Sequence, residues 1–388
     1  MEDRLIANIF SILYLLSSTT IFHSLPSIIL FRISNFSIML FLSIIIPAYN
    51  AGKTIVPLLS SIARSKKVKF DELEAIVVDD KSADDTVEVV QRYLILGCEA
   101  KSPQGWKVKQ GWKVKIVCLK KNVGPAAARN IGVKYARGKV VLFLDADVLV
   151  YSNTLYEVVH SFKQDQDLHA LTGVWDKMQE SHKFFPKFKA LRDWSYWINE
   201  RDPRNYYYLF STRIAAIDRK LFLRLGGFDT TYKAALVEDM ELTYRIAKRY
   251  AVVFNPKVIV HHEFEDFWPI AKKYFWRSFY WSKIYRERKK FDPVATTGKE
   301  AMTTISAGGL VFLSLLSILS YLSHLSYIMR ISIVGVIVVT AIHFWGVRKF
   351  LWFTIKEEGI FFTLKAFLTG IVLYLVILAG AMVSFWKK

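Results

Sequence analysis

The sequence contains little cysteine and few acidic side chains, and each shortage narrows the class of protein. Only 2 of its 388 residues are cysteine, which excludes a disulfide framework and predicts that the charged, soluble part of the chain faces a reducing compartment. Asp and Glu number 34 against 53 Lys and Arg, which leaves a formal net charge of +19. Such a surplus favours anionic membrane lipids and anionic substrates as partners. Nucleic acid is not expected as a partner, because the sequence contains no recognisable module that binds it.

Charge is also absent from several long apolar stretches. Residues 5–31 carry no formal charge, and we expect residues 1–38 to be either a membrane helix or an extended start. Three stretches near the end of the chain are each close to the ~20 residues that cross the hydrocarbon layer; they are 301–322, 329–347 and 361–386. None of the three contains a carboxylate, which argues against a transporter. Residues 301–388 are therefore predicted to form three transmembrane helices.

The stretch KVVLFLDADVLV, residues 139–150, is the clearest sign of a site. A short apolar run predicts a buried strand, and Asp145 and Asp147 follow at its carboxyl end. Ligands bind at that edge in open α/β sheets. Two carboxylates at this spacing suit Mn²⁺ or Mg²⁺, which share their oxygen ligands with substrate phosphates. An ordinary turn after a strand is the simpler interpretation of the same residues.

Strands alternate with helices through the first part of the chain. FLSIII, EAIVV and KIVCL predict buried strands, and apolar residues at helical spacing follow the first two. This alternation predicts an α/β fold with a doubly wound, mostly parallel sheet. We expect the domain to extend over residues 39–265.

The motifs along this domain occur together in one known family. In order, they are SIIIPAYN at 43–50, VVDDKSADDT at 77–86, NVGPAAARNIG at 122–132, FLDAD at 143–147, GGFD at 226–229 and ED at 238–239. A chain with these motifs in this order resembles the family-2 glycosyltransferases of the GT-A fold. The resemblance implies an inverting transfer of sugar from a nucleotide-sugar donor, with Mn²⁺ or Mg²⁺ as cofactor.

The resemblance also implies roles for individual residues. Residues expected to bind the nucleotide sugar are Pro47, Ala48, Tyr49, Asp79, Asp80, Arg129, Asp145, Gly226, Gly227 and Glu238. Either Asp79 or Asp80 contacts the base. Asp145 and Asp147 bind the metal, completed by His261 or else His262. A simpler interpretation of Pro47, Ala48 and Tyr49 is a turn that ends the strand. A simpler interpretation of Asp79 and Asp80 is helix capping.

Asp239 is predicted to be the catalytic base. It follows Glu238 at the start of an amphipathic helix, where the helix start keeps a carboxylate ionised. In the resembling family, the Asp of this pair is the base, which corresponds to Asp239. Capping of the helix alone is the alternative.

Two segments interleave aromatic with basic residues, as segments at a membrane surface do. They are 182–208 and 267–290, and we expect an interfacial helix in the region 266–300. For 182–208 the alternative is a packed helix with a solvated basic face. The basic loop at 348–356 predicts a multi-pass protein of the cell membrane whose catalytic domain is cytoplasmic.

Four functions remain open at this point. The leading hypothesis is transfer of a single sugar, from GDP-mannose or a UDP-hexose, to a hydroxyl of a lipid-linked acceptor. The second is transfer to polyprenyl phosphate itself, which needs no strong base. The third is a processive polysaccharide synthase of the cellulose type, although the Gln-x-x-Arg-Trp motif of such enzymes is not matched around Arg277. The fourth is an inactive sugar-binding module, against which Asp145, Asp147 and Asp239 argue.

Overall fold

The computed structural model describes residues 40–96, 111–201, 207–231, 237–291 and 297–386. The predicted N-terminal segment, 1–38, lies outside this part of the chain. Within the described residues, eight strands form one sheet in the order β3-β2-β1-β4-β7-β6-β8-β5. The strands are β1 Leu42–Ala48, β2 Leu73–Asp79, β3 Lys113–Cys118, β4 Val140–Leu144, β5 Val148–Val150, β6 Ala170–Trp175, β7 Ile214–Asp218 and β8 Val252–His262.

The sheet has a parallel part and a mixed part. Strands β3, β2, β1 and β4 are parallel neighbours, which confirms the predicted α/β class. Strand β7 is antiparallel to β4 and β6, and β5 is antiparallel to β8. The antiparallel strands follow the Asp-x-Asp motif in sequence, so the regular alternation that the sequence predicts ends at the site.

Helices cover both faces of the sheet. In the described chain they are α1 Ile55–Ala63, α2 Thr86–Leu96, α3 Pro125–Tyr135, α4 Thr154–Gln164, α5 Phe184–Ile198, α6 Arg219–Arg224, α7 Glu238–Ala247, α8 Phe267–Arg288, α9 Gly298–Leu322 and α10 Ser326–Trp386. Strand β1 contributes Leu42, Ile44 and Ile46 to one core and Ile45 to the core on the opposite face. Successive side chains of a strand point to opposite faces, so an unbroken apolar run belongs to a sheet covered on both sides.

Two of the described helices, α9 and α10, are long and apolar enough to cross a membrane, which by itself is weak evidence that they do. Gly359, with φ 81°, interrupts α10 and divides it into segments 326–358 and 360–386. A positive φ suits glycine and ends the helical hydrogen-bond pattern at this point. The structure thus has three apolar helical segments where the sequence predicts three spans.

Helices α5 and α8 connect the sheet to the apolar helices. Phe188 of α5 and Ile270 of α8 are buried in one cluster with Phe350 and Tyr374 of α10. Segment 184–198 is therefore a packed helix, the alternative that the sequence left open. Arg192 of α5 reinforces the junction by donating hydrogen bonds to the Tyr374 hydroxyl at 2.9 Å and to a Glu200 carboxylate oxygen at 2.9 Å.

Candidate active site

The carboxyl ends of β1, β2 and β4 meet at one edge of the sheet, where a buried arginine joins two of the predicted site residues. Arg129 of α3 donates to Asp145 at 2.7 Å and to Glu238 at 3.3 Å. Arg129 and Glu238 are both buried, whereas the Asp145 side chain is 31% exposed. The ion pairs bring the start of α7 to the end of β4, although more than ninety residues separate the two in sequence.

The two carboxylates of the Asp-x-Asp motif have different environments. Burial raises the pKa of Asp145 although Arg129 opposes the shift, and the charge of Asp147 raises it further. Burial is the largest single influence on Asp147 and acts to raise its pKa. The hydrogen bond and charge of His262, a backbone hydrogen bond and the charge of Lys273 together outweigh burial, so this pKa lies below its usual value. The pair therefore resists carrying two negative charges at once, and an added cation would favour the fully ionised form.

His262, and not His261, lies beside the motif. The Nε2 atom of His262 is 3.4 Å from an Asp147 carboxylate oxygen. His261 contacts Asp176 at 3.1 Å and Glu263 at 3.0 Å instead. Adjacent residues of β8 point to opposite faces, so only one of them can face the motif. The sequence prediction chose His261, and the structure brings the alternative histidine to this place.

The donor set suits a hard divalent cation. Asp145, Asp147 and His262 offer carboxylate oxygens and an imidazole nitrogen at one edge. Among the described residues, no three such side chains lie close enough to hold an ion by themselves. Cations of the Mg²⁺ type are commonly held by one or two carboxylates plus substrate phosphates. The residues therefore fit Mn²⁺ or Mg²⁺ that arrives with a phosphate-bearing ligand.

Asp79 and Asp80, at the end of β2, are used differently. Both carboxylate oxygens of Asp80 accept backbone N–H groups, from Val123 at 2.7 Å and Gly124 at 2.8 Å. These bonds fix the loop that opens α3, whereas the capping considered for the sequence concerned the helix that follows β2 directly, α2. Among the described residues, Asp79 accepts only from the Ser82 N–H, at 3.3 Å to each oxygen. Asp79 therefore retains the greater capacity to accept hydrogen bonds from a ligand.

The loop after β1 is fastened to the loop after β2. Asn50, with φ 52°, accepts the Ala83 N–H at 2.8 Å, and its own N–H donates to Ser82 at 2.9 Å. Ala48 is buried and pairs in register with Asp79, whereas Tyr49 is 55% exposed. The chain thus leaves the sheet through Pro47 and Ala48, the partner of Asp79, and continues to the exposed ring of Tyr49.

The two glycines of GGFD have different neighbours. Gly226 and Gly227 both have positive φ, at 83° and 74°. A Cβ on Gly227 would lie 2.5 Å from an Asn130 oxygen, whereas a Cβ on Gly226 would meet nothing within 4 Å. Asn130 also accepts the Phe228 N–H at 2.9 Å. Gly227 therefore permits close packing on α3, and Gly226 leaves open space.

Asp239 is half-buried in the first turn of α7. One carboxylate oxygen accepts the Met240 N–H at 2.8 Å. Burial raises its pKa, and the positive charge of Arg277 is the largest opposing influence, followed by the Met240 N–H and Arg213. A carboxylate that is raised in pKa and held at a helix start is suited to accept a proton near neutral pH.

Sequence reasoning missed Arg213 as a site residue. Its guanidinium lies between the rings of Trp175 and Trp197, with its central carbon 4.2 Å and 4.8 Å from the ring centroids. Trp175 in turn stacks on His262 at 4.9 Å. The only signal in the sequence is a basic residue directly before the apolar strand IAAID, which is too common to indicate a site.

Comparisons with known proteins agree with this architecture. Residues 43–228 match the family described as Glycosyl transferase family 2. The chain is 30% identical over 132 residues to the poly-beta-1,6-N-acetyl-D-glucosamine synthase of Staphylococcus aureus, covering 34% of this chain and 28% of the synthase. It is 35% identical over 118 residues to the poly(ribitol-phosphate) beta-N-acetylglucosaminyltransferase TarS of the same species, covering 30% of this chain and 18% of TarS. The matches thus span less than a third of the length of these curated relatives.

A solved structure supports the fold over a longer part of the chain. The mannosyltransferase PcManGT from Pyrobaculum calidifontis, in complex with GDP-Man and Mn²⁺, has a TM-score of 0.54 and 17% identity, covering 89% of this chain and 87% of that chain. At this identity the likeness establishes the fold alone, and it confirms the predicted GT-A architecture. With the family match and the converging strand ends, we conclude that the chain contains a glycosyl transferase family 2 domain at residues 43–228.

Proposed function

We propose that the protein transfers a single sugar, with inversion, from a nucleotide-diphospho-sugar to a hydroxyl group of a lipid-linked acceptor at the membrane surface. The main supporting observation is that the Asp145–Arg129–Glu238 ion pairs join the strand edge to the helix that carries Asp239. A nucleotide-binding edge and a base are thereby fixed relative to each other. The family domain at 43–228 supports the reaction class.

In this mechanism, Asp239 accepts the proton of the acceptor hydroxyl as that oxygen attacks the anomeric carbon. The bond to the nucleoside diphosphate breaks on the opposite face, so the configuration at the anomeric carbon inverts. Asp145 and Asp147, with His262, would hold Mn²⁺ or Mg²⁺, which when bound offsets the charge of a departing diphosphate. Arg129 holds Asp145 in place, and Gly226 leaves space for the sugar.

The donor is proposed to be GDP-mannose or a UDP-hexose. Asp79 supports base recognition, since its oxygens accept only the long bonds from Ser82 within the described chain. PcManGT is described in complex with GDP-Man and Mn²⁺, and the named relatives act on N-acetylglucosamine. Binding of each nucleotide sugar, measured by calorimetry with and without Mn²⁺, would decide between them.

A processive polysaccharide synthase is the second candidate, because one relative is named for a polymer. The length of the product separates the two. We expect purified protein in lipid nanodiscs, given a radiolabelled donor and a lipid-linked sugar, to add one residue even at a large excess of donor. A ladder of longer products would favour the synthase. Transfer to bare polyprenyl phosphate alone would favour the polyprenyl-phosphate transferase.

Location is proposed to be the cell membrane, with several spans and a cytoplasmic catalytic domain. The exposed apolar side chains of α9 and α10 support it, for example Phe361 at 81% exposure. Cys118 is exposed in the sheet domain, and a Cys98→Ser variant would leave it as the single cysteine. We expect a membrane-impermeant maleimide to label this variant only after cells are opened. Labelling of intact cells would place the domain outside.

A further inference from the structure

The structure contains a buried guanidinium, that of Arg213, which forms no ion pair with any residue of the described chain. Arg213 is only 8% exposed, and its Nε donates to Ser211 at 2.8 Å. Its Nη1 is buried without a hydrogen-bond partner among the described residues. The rings of Trp175 and Trp197 hold the group in one orientation. A buried cation lacking a paired anion is costly, and an anionic ligand would relieve that cost.

A second guanidinium, that of Arg277, belongs to the same site. We call this site the cleft and define it by Asp145, Asp147, Asp239 and Arg213. Arg277 of α8 is exposed, and within the described chain it forms neither an ion pair nor a hydrogen bond. It acts electrostatically on Asp193, Arg213 and Asp239. Lys273 lies one turn earlier on α8 and acts on Asp147 instead. Residues four apart share a helix face, so α8 presents one cation to each end of the cleft.

The two ends differ in how their charges are balanced. At the Asp-x-Asp end, Arg129 forms ion pairs with Asp145 and Glu238, and His262 contacts Asp147. At the Asp239 end, Asp193 is already paired with Lys189 at 2.5 Å. Of the described carboxylates that act on Arg213, Asp193 is paired with Lys189 and Asp145 with Arg129. Asp239 is therefore the carboxylate left without an ion pair, and it faces two guanidinium groups.

We propose that Arg213 and Arg277 bind a phosphate ester carried by the acceptor, so that the substrate class is a phosphate-linked rather than a neutral glycan. The inference rests on the proposed function, because it takes Asp239 to mark the acceptor side. Guanidinium groups bind phosphate oxygens through paired hydrogen bonds, and aromatic faces are their usual support. The phosphate belongs either to a lipid carrier or to a phosphodiester polymer.

The test compares acceptors that carry a phosphate with one that does not. The acceptors are a short-chain polyprenyl-diphosphate-linked sugar, the alkyl glycoside of the same sugar, and a soluble polyol-phosphate oligomer. The variants are Arg277→Gln and Arg213→Lys, with Lys272→Gln as the matched control that removes an exposed charge from the same helix. We expect Arg277→Gln to raise KM for the phosphate-bearing acceptor by roughly 10- to 100-fold, as loss of a charge-assisted hydrogen bond would. At a pH above the acid limb of the profile, KM for the alkyl glycoside should change far less than KM for the phosphate-bearing acceptor. Donor affinity and all values for the control should remain unchanged.

Each other outcome has a definite meaning. An equal rise in KM for the charged and the neutral acceptor would overturn the proposal. A loss of donor affinity would also overturn it, because it would assign the two guanidinium groups to the donor diphosphate. A changed pH profile with unchanged acceptor discrimination would also overturn it. If Arg213→Lys does not fold, the Arg277→Gln variant still tests the proposal, because Arg277 is exposed. Absence of transfer to every acceptor, while donor binding persists, would instead count against the proposed function. Preference for the lipid or the oligomer identifies the source of the phosphate.

Discussion

The two sides of the cleft are built in different ways. The strand edge, formed by Asp79, Asp80, Asp145 and Asp147, is held by backbone N–H groups and by ion pairs. The helix side, formed by Asp239, Arg213 and Arg277, has cations without ion pairs in the described chain and is held by stacking and helix packing. The strand edge thus offers carboxylate oxygens to a cation or a hydrogen-bond donor, whereas the helix side offers guanidinium groups to an anion.

The largest expected effect tests whether the two sides have separate tasks. Asp239→Asn keeps the shape of the side chain but removes the proton acceptor. We expect the rate of transfer to a hydroxyl acceptor to fall by ~10²–10⁴, while donor affinity changes little, because the strand edge is intact. Rates from a radiolabelled-donor assay and affinities from calorimetry would be measured in parallel. Near-normal transfer by the variant would remove Asp239 from the role of base.

The next effect concerns the strand edge alone. Asp147→Asn should weaken donor binding in the presence of Mn²⁺ by about 10- to 100-fold or more, since even indirect metal partners have effects of that size. Donor binding without metal should change less. Asp71→Asn, an exposed change before the amino end of β2, serves as the control. Equal affinity of the variant and wild type with Mn²⁺ would contradict the metal assignment.

The strand edge was predictable from the sequence because its elements are local. Apolar runs such as VVLFL predict buried strands, and strands of one parallel sheet end at the same edge, so the sequence alone predicts that Asp79 and Asp145 lie at one edge. Which member of an adjacent pair faces the cleft was not predictable. His261 and His262, like Asp79 and Asp80, differ only in strand register, which is set by pairing with distant strands.

On the helix side, Asp239 is predictable from its motif, but the two arginines are not, for a different reason. Arg213 lies between Trp175 of β6 and Trp197 of α5, and no local pattern brings the three together. Their meeting depends on the antiparallel strand β7, where the regular alternation has already ended. The sequence predicts for Arg277 a place in the interfacial segment 267–290 and an imperfect match to a synthase motif, but not its place beside Asp239, which depends on how α8 packs.

A smaller effect tests how far the strand edge is held by its backbone. Asp80→Asn would turn two charge-assisted bonds, to Val123 and Gly124, into one neutral bond and a donor facing a donor. Bonds to charged groups contribute about 1.5–3 kcal/mol, so we expect a loss of that order in the free energy of unfolding. The measure is thermal unfolding in detergent. Asp165→Asn, the same change at an exposed turn, should cost less than about 0.5 kcal/mol. Equal costs would mean that the loop is fixed by packing instead.

The smallest expected effect concerns the pKa of Asp239, the proposed base, and its dependence on the charge of Arg277. Burial raises the pKa of Asp239 above the ordinary 3.8, so kcat/KM should fall, as pH decreases, at a higher pH than an ordinary aspartate would give. Arg277 is the largest influence opposing this rise, so Arg277→Gln should raise the pKa and move the acid limb to higher pH. Arg277 is exposed, and its effect should therefore shrink with added salt.

The profile is best measured with the alkyl glycoside, so that a charged acceptor does not contribute its own titration. Lys272→Gln controls for the general loss of positive charge and should leave the limb in place, because Lys272 is not among the main influences on Asp239. If both variants move the limb equally, the electrostatic effect of α8 is diffuse. If neither does, the proton acceptor is not the carboxylate that Arg277 faces. A shift of the acid limb for Arg277→Gln alone would mean that the charge of Arg277 acts specifically on the pKa of Asp239.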